Sequence, residues 1–208
     1  MPEETVGSGR SRGRPVNADL TPAIVEAVLF LLAEGGYAQL TTAAVAKRAG
    51  VSTATLYRRW PSKRELLLSA AEQIAASEPA DIDTGSTEGD LRELCAHKRR
   101  VLSGQVGATL ITLVGESVHD PEVAAIVRTT VFDPTRDHLA VILRRAEARG
   151  EHVVTDATAA AGLVVGVVLA RIAFSGRDGA GLLPEADVML LIQAIAGARS
   201  GPRGARRR

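Results

Sequence analysis

The stretch Thr41 to Leu67, TTAAVAKRAGVSTATLYRRWPSKRELL, encodes two short helices around a tight turn and then a third, capped helix. Val45, Ala46 and Ala49 give the first helix an apolar face, and Gly50 follows at a helix-ending position, where a left-handed backbone costs glycine little. Ser52 then stands where a side-chain oxygen can cap the next helix. That helix, Thr53 to about Arg59, buries Leu56 and shows Thr53, Ala54, Thr55, Tyr57, Arg58 and Arg59 on its other faces. Short polar groups, a phenol and two guanidiniums suit a helix laid in a DNA major groove. Its first turn can meet base edges while hydroxyls and cations meet phosphates.

On the N-terminal side, Thr21 and Pro22 pattern as the cap and first position of a helix. Ile24, Ala27, Val28, Leu31 and Leu32 share its face, and Gly35-Gly36 ends it. Residues 1–20, rich in Gly, Ser, Arg and Pro, read as a flexible basic arm with too little apolar area to order itself. On the C-terminal side, Ser62 and Glu65 form a capping-box pattern that starts a helix running to about Ala76. Residues 78–89, turn-rich and apolar-poor, read as a loop and domain boundary.

These residues resemble the TetR family of transcriptional regulators. The likeness runs from about Thr21 to Leu68 and includes the Gly36-Tyr37 step, the Ala49-Gly50-Val51-Ser52 turn, Thr55-Leu56-Tyr57 and Ser62-Lys63. Beyond it, the chain fits the family by length and helical pattern alone. The resemblance implies a DNA-binding head and a C-terminal body that binds ligand and dimerises. Carried to matched positions, it gives Thr42, Thr55, Tyr57 and Lys63 phosphate contacts, Lys63 aided by the positive end of its helix. Ala43, Thr53 and Ala54 align with base-edge positions, and the two alanines offer only methyl contact. Arg58 and Arg59 reach phosphate or base edges, and Tyr37 and Trp60 read as core aromatics. Arg10, Arg12 and Arg14 suit either a minor groove or a disordered arm.

Helical periodicity continues through the body. Leu91, Leu94, Val101 and Leu102 mark one helix, Leu110, Leu113, Val114 and Val118 the next, and Val123, Ile126 and Val127 a third. Asp133 before Pro134 reads as the cap of a fourth, which carries Leu139, Ile142 and Leu143 and stops at Gly150. A fifth spans Ala157–Phe174, and Pro184 opens a last helix with Val188, Leu191, Ile192 and Ile195 on one face. Nothing alternates with period two for long enough to argue a sheet. The expectation is an all-α chain with an arm (1–20), a helix-turn-helix head (21–77), a helical ligand-binding and dimerisation body (88–198) and a basic disordered tail (199–208).

Gly162, Gly166 and Ala170 recur every four residues as a smooth stripe flanked by Val165, Val167 and Leu169, which lets another helix approach closely. With Val188, Leu191, Ile192 and Ile195 this predicts a homodimer interface; the alternative is the central core helix of a monomer.

The net charge of +1 hides an asymmetry. Arg10 to Arg64 carries nine basic and three acidic residues, net +6, whereas Glu65 to Ala198 carries 11 basic and 19 acidic, net −8. A cationic head on an anionic body steers toward phosphate and makes affinity fall with salt. The single cysteine, Cys95, excludes an internal disulfide framework and suits a reducing cytosol; its apolar-periodic position reads as buried filler, with a redox sensor as the alternative. The polar, Arg-rich first twenty residues show no signal peptide. The apolar run Ala157–Ala170 is fourteen residues long, short of the ~20 that span a bilayer, so no membrane partner is expected.

An enzyme is the rival class. The sequence has no Gly-rich phosphate loop after a strand, no nucleophile elbow, no paired-Cys or HExxH site, and its four histidines are scattered. No cofactor is expected, nor a metal: Pro121 interrupts Glu116, His119 and Glu122. The family implies a double-stranded operator as partner and a pocket among the middle helices. Its candidate wall is His97, Lys98, Val101, Leu113 and Glu116, with Phe132, His138 and Arg171 beyond. Only Phe132 and Phe174 are aromatic in the body, so an aliphatic pocket for an apolar or amphipathic effector fits better than one for flat aromatics. An effector-less constitutive repressor or a protein-binding adaptor stands as the alternative.

Overall fold

The computed structural model describes residues 20–75, 81–175 and 181–197; the arm with Arg10, Arg12 and Arg14, and the tail, lie outside the described residues. Local capping chemistry sets most helix ends. The first helix, α1 (Leu20–Gln39), does not end at Gly35-Gly36 as its pattern suggests. It kinks at Gly36, whose φ of 70° only glycine adopts cheaply, and re-enters helix as far as Gln39. In α2 (Thr42–Ala49), the Thr41 hydroxyl accepts the Ala44 N–H at 3.1 Å. Gly50, left-handed at φ 69°, closes that helix, and its N–H and that of Val51 both return to the Ala46 carbonyl. Ser52 caps α3 (Thr53–Arg59) through the Thr55 N–H, and Ser62 accepts the Glu65 N–H at the start of α4 (Lys63–Ala75).

Helix α5 (Thr87–Val101) begins inside the segment expected to be a loop, because Ser86 caps it through the Gly89 N–H and Asp90 is wholly buried. Helix α6 spans Gln105–Ser117, and Val118, expected on its apolar face, lies past its end and is 77% exposed. Asp120 caps α7 (Pro121–Val127), accepting the Glu122 and Val123 N–H groups.

Asp133 caps nothing: its φ and ψ, −61° and −46°, are helical, and a π-helical turn over Arg128–Phe132 joins α7 directly to α8 (Asp133–Ala148). Pro134 has no N–H for the carbonyl four residues back, and the wider turn accommodates that loss, with the Asp133 N–H reaching the Arg128 carbonyl. Gly150, at φ 70°, follows α8. Helix α9 (Ala157–Ser175) is capped by Asp156, and α10 (Glu185–Ala196) follows Pro184. The described residues contain helices and no strand.

Two hydrophobic cores result. One joins α1 to α4 with Leu113 of α6 and Val123 and Ile126 of α7, so Leu32, Leu56 and Trp60 pack in the same cluster as those residues. The other is made by α5, α8, α9 and α10 together with Ile82. Fully burying a side chain such as Leu56 or Leu139 contributes about 1.5–3 kcal/mol. A polar tie crosses between elements: the Thr109 hydroxyl of α6 donates to the Leu29 carbonyl of α1 at 3.2 Å.

A partly buried ionic cluster, centred on the wholly buried Asp90, pins the start of α5 to the end of α8. Asp90 accepts from the Thr84 N–H and hydroxyl at 2.7 and 2.8 Å and pairs with Arg149 at 3.2 Å. Glu151 also pairs with Arg149 and accepts the Thr87 N–H, and the Thr87 hydrogen bonding holds its carboxyl below the usual range. Cys95 is buried filler in the second core, its thiol pushed up to about 11 by desolvation, which removes the thiolate a redox sensor needs.

Candidate nucleic-acid interface and internal cavity

The turn-flanked pair α2–α3 projects one face of α3 away from the core. Leu56 is the anchor, wholly buried, while Thr53, Ala54, Tyr57, Arg58 and Arg59 are exposed and Thr55 is half-buried. Tyr57 is 55% exposed although it is a large apolar ring, which a helix tolerates when the ring has another surface to meet. The Thr55 and Ser52 hydroxyls lie 2.8 Å apart, so the cap also orients a candidate contact residue.

On α2, Ala43 is exposed beside Thr41, but Thr42 is only 7% exposed. Most of its side chain therefore packs against the protein. What the position offers outward is a backbone N–H at the helix start, where the dipole favours an anion.

Lys63 departs furthest from expectation. Its ammonium donates to the Tyr37 carbonyl and sits 3.4 Å from the centre of the Tyr37 ring. Burial lowers its pKa despite Glu116 and Asp120 nearby, and burial raises that of Tyr37. The kink at Gly36 places this Tyr37 carbonyl in front of the lysine, so Tyr37 is a clasp as well as a core aromatic. Two further guanidiniums rest on aromatic faces: Arg48 at 3.2 Å from the Phe30 centroid and Arg59 at 4.6 Å from that of Trp60. The Arg48–Phe30 pair is absent from the sequence reading, because Phe30 and Arg48 are eighteen positions apart on different helices.

At the seam between the two cores is a cavity of about 90 Å³. Val28, Leu29 and Leu32 of α1 and Leu67, Ala70 and Ile74 of α4 form its head side. The opposite wall comes from α5, α6, the π turn and α9, including Lys98, Val101, Leu113, Val131 and Val164. Three expected wall residues, Lys98, Val101 and Leu113, are thus present. The other five are elsewhere. Arg171 is tied bidentately to Asp187 at 2.6 Å, joining α9 to α10. Glu116 acts on the Tyr37–Lys63 clasp, Phe132 packs on the second core, and His97 and His138 do not line the cavity. The α1 and α4 residues were missed because a head helix with an apolar face reads simply as core.

The stripe Gly162, Gly166 and Ala170 of α9 is exposed, together with Leu163 and with Phe174 at 88%, whereas Val165 and Leu169 are half-buried and Val165 lines the cavity. On α10 the expectation fails: Val188, Leu191, Ile192 and Ile195 are buried in the chain's own core. The heavier β-branched face turned inward, and the outward face is Ala186, Met189, Leu190, Gln193 and Ala194. Helix α9 is also longer than its fourteen-residue apolar run. By length and composition alone Ala157–Phe174 could cross a membrane, yet only 22% of that window is buried within the chain. An apolar helix so little covered needs another surface. Among the described residues no group of three metal-ligating side chains gathers.

Comparison with known proteins decides the family. Residues 24–70 match the description "Bacterial regulatory proteins, tetR family", and residues 81–195 match "Tetracyclin repressor-like, C-terminal domain". The chain belongs to the TetR family of transcriptional regulators. The Bacillus subtilis HTH-type transcriptional regulator YdeS is 29% identical over 168 residues, covering 80% of this chain and 85% of that protein. The DNA-binding transcriptional repressor TetR of Mycobacteroides abscessus is 30% identical over 130 residues, 62% of this chain and 68% of that one. A TetR-family regulator from Agrobacterium tumefaciens shares the fold at a TM-score of 0.65 and 21% identity, covering 85% of this chain and 97% of that one. This TetR-family chain is a helix-turn-helix transcriptional regulator, and regulators of the family bind DNA and act as dimers.

Proposed function

We propose that this regulator is a dimeric repressor that binds a pseudo-palindromic operator and is released by a small apolar or amphipathic molecule. The observation that carries the reading is the cavity, because α1 and α4 of the DNA-binding head form one of its walls. A molecule seated there touches the head directly. If it fits better when the recognition helices are misplaced, linkage makes it weaken operator affinity by the factor that operator weakens its own. Residue 63, at the start of α4, moves with Leu67, Ala70 and Ile74 along the same helix, and the Tyr37 clasp moves with α1.

At the interface, Thr53, Ala43 and Ala54 meet base edges. Tyr57, Thr55 and the Thr42 N–H meet phosphate, with Arg58 and Arg59 as reaching cations and Lys63 steadying the clasp beneath. Helices α9 and α10 of two copies cover each other's exposed stripes, Gly162, Gly166, Ala170 and Phe174 against Ala186, Leu190 and Ala194. Two-fold symmetry then sets the recognition helices about 34 Å apart, or a multiple of that. The arm and tail assignments, residues 1–20 and 199–208, remain part of the proposal. A mobility shift on the promoter beside the protein's own gene, run with and without metabolite extracts, tests it. Retarded DNA released by extract is expected; binding that no extract alters fits a constitutive repressor, and no binding fits an adaptor.

A further inference from the structure

Among the described residues that line the cavity none is aromatic and none is acidic. Lys98, the one charged residue in the wall, is 7% exposed and has a partner within the protein. The remaining side-chain polar atoms of the wall are the hydroxyls of Thr109, Thr130 and Thr135. Each donates its single hydrogen to a main-chain carbonyl: Thr109 to Leu29 at 3.2 Å, Thr130 to Ile126 at 2.7 Å and Thr135 to Val131 at 2.7 Å. What each oxygen has left is lone-pair density, so these three side chains can accept a hydrogen bond from a ligand and cannot donate one.

The π turn adds to the imbalance. Thr130 and Val131 lie in it and both line the cavity, and Pro134, just beyond, brings a carbonyl and no N–H. Two of the three threonines, Thr130 and Thr135, therefore stand where acceptors outnumber donors. A neutral hydroxyl answers such a wall, because it donates at a lower desolvation cost than an ion. An ammonium also donates, but it would be buried with no carboxylate in the wall to meet it. A ketone, ester or ether would set one more acceptor against acceptors.

The rest of the wall is valine, leucine, alanine and one isoleucine, which suits a saturated chain and offers a flat ring nothing to stack on. At about 90 Å³ the cavity is smaller than the ~150 Å³ apolar cavity that admits benzene, which keeps the chain short.

We propose that the effector is a short-chain aliphatic alcohol, its hydroxyl donating to the threonine oxygens beside the π turn, Thr130 and Thr135, and its chain lying between α1, α4 and α9. This rests on the reading of the cavity as the effector site and adds the chemical class to it.

Calorimetry and operator release test the assignment on the full-length protein, with primary alcohols from butanol to heptanol, their isomeric methyl ethers and the matching primary amines. The best alcohol should bind roughly 10-fold more tightly than its isomeric ether, which cannot donate. That preference should disappear when Thr130→Val and Thr135→Val are combined, and persist when Thr130→Ser and Thr135→Ser are combined, since serine keeps both oxygens. Ether binding by the valine variant reports an intact cavity; where that is lost too, the wild-type ratio and the serine variant decide. Alcohol and ether binding equally well, an amine binding more tightly than the alcohol, or a preference unchanged in the valine variant would overturn the hydroxyl assignment and leave the cavity as an effector site. Failure of every compound to bind, with the operator complex unaffected, would overturn the effector-site reading along with it.

Discussion

Replacing Gly166 by leucine separates the stability of a single chain from the strength of its self-association. A Cβ added at Gly166 meets nothing within 4 Å and the position is exposed, so a side chain can start there without a clash inside the chain. Removing a glycine from the interior of α9 stabilises the helix by roughly 0.5–1 kcal/mol. Between two copies the sign reverses. The stripe is smooth because its residues are Gly162, Gly166 and Ala170, and a leucine forces the facing helices apart. Overpacking costs about 1–3 kcal/mol per site, and two-fold symmetry introduces the substitution twice, giving about 2–6 kcal/mol. At 1.4 kcal/mol per decade the dimer dissociation constant rises roughly 30-fold to 10⁴-fold. Sedimentation equilibrium over a concentration series reads this directly, and urea unfolding of the dissociated variant reads the gain in helix stability. An unchanged dissociation constant, with the helix stabilised as expected, would refute placing α9 at the interface.

Three further outcomes follow from the same geometry. Tyr57→Ala should weaken operator and random duplex alike by about 1 kcal/mol, whereas Thr53→Ala should change the preferred base by about 1–3 kcal/mol; fluorescence anisotropy on both duplexes separates them. Cys95, with its thiol pushed up to about 11 by burial, should resist a disulfide reagent at mildly alkaline pH in the native protein and react at once in urea; rapid native labelling would contradict its burial. Glu151 has a depressed carboxyl pKa, so its contribution is present above the unfolded glutamate range and is lost as pH falls through the lower folded value. Glu151→Gln should therefore flatten the acid side of the stability profile measured by urea midpoint, and an unaltered acid limb would rule that contribution out.

Much of the head was legible because its signals are local. Gly50 at a left-handed position, Ser52 and Ser62 as caps and Leu56 as anchor each follow from residues within one turn, and the structure has all of them. Phe30 beneath Arg48, the Tyr37 clasp on Lys63 and the α1 side of the cavity depend on helices far apart in sequence, where periodicity carries no information. The Asp133 expectation failed for a chemical reason. Asp before Pro is a good cap when a chain enters a helix, but here the chain was already helical, and a π turn absorbed the missing proline N–H. On α10, hydrophobic weight pointed to Val188, Leu191, Ile192 and Ile195, and weight marks the face a chain buries in itself. The face left outward carries smaller residues and one exposed leucine, Ala186, Leu190 and Ala194, and it is the face that the proposed dimer would cover. The cavity's aliphatic character was readable from composition, since the body holds only two phenylalanines.

In the proposed function two copies, each with one recognition helix, engage one operator. Stoichiometric titration of a promoter duplex, read by sedimentation velocity with labelled DNA, tests it most directly. Two chains, or a multiple of two, per duplex are expected, with a large loss of affinity when one half-site is scrambled while the other is kept. One chain per duplex, or equal affinity for the promoter and a random sequence at the same salt, would contradict it.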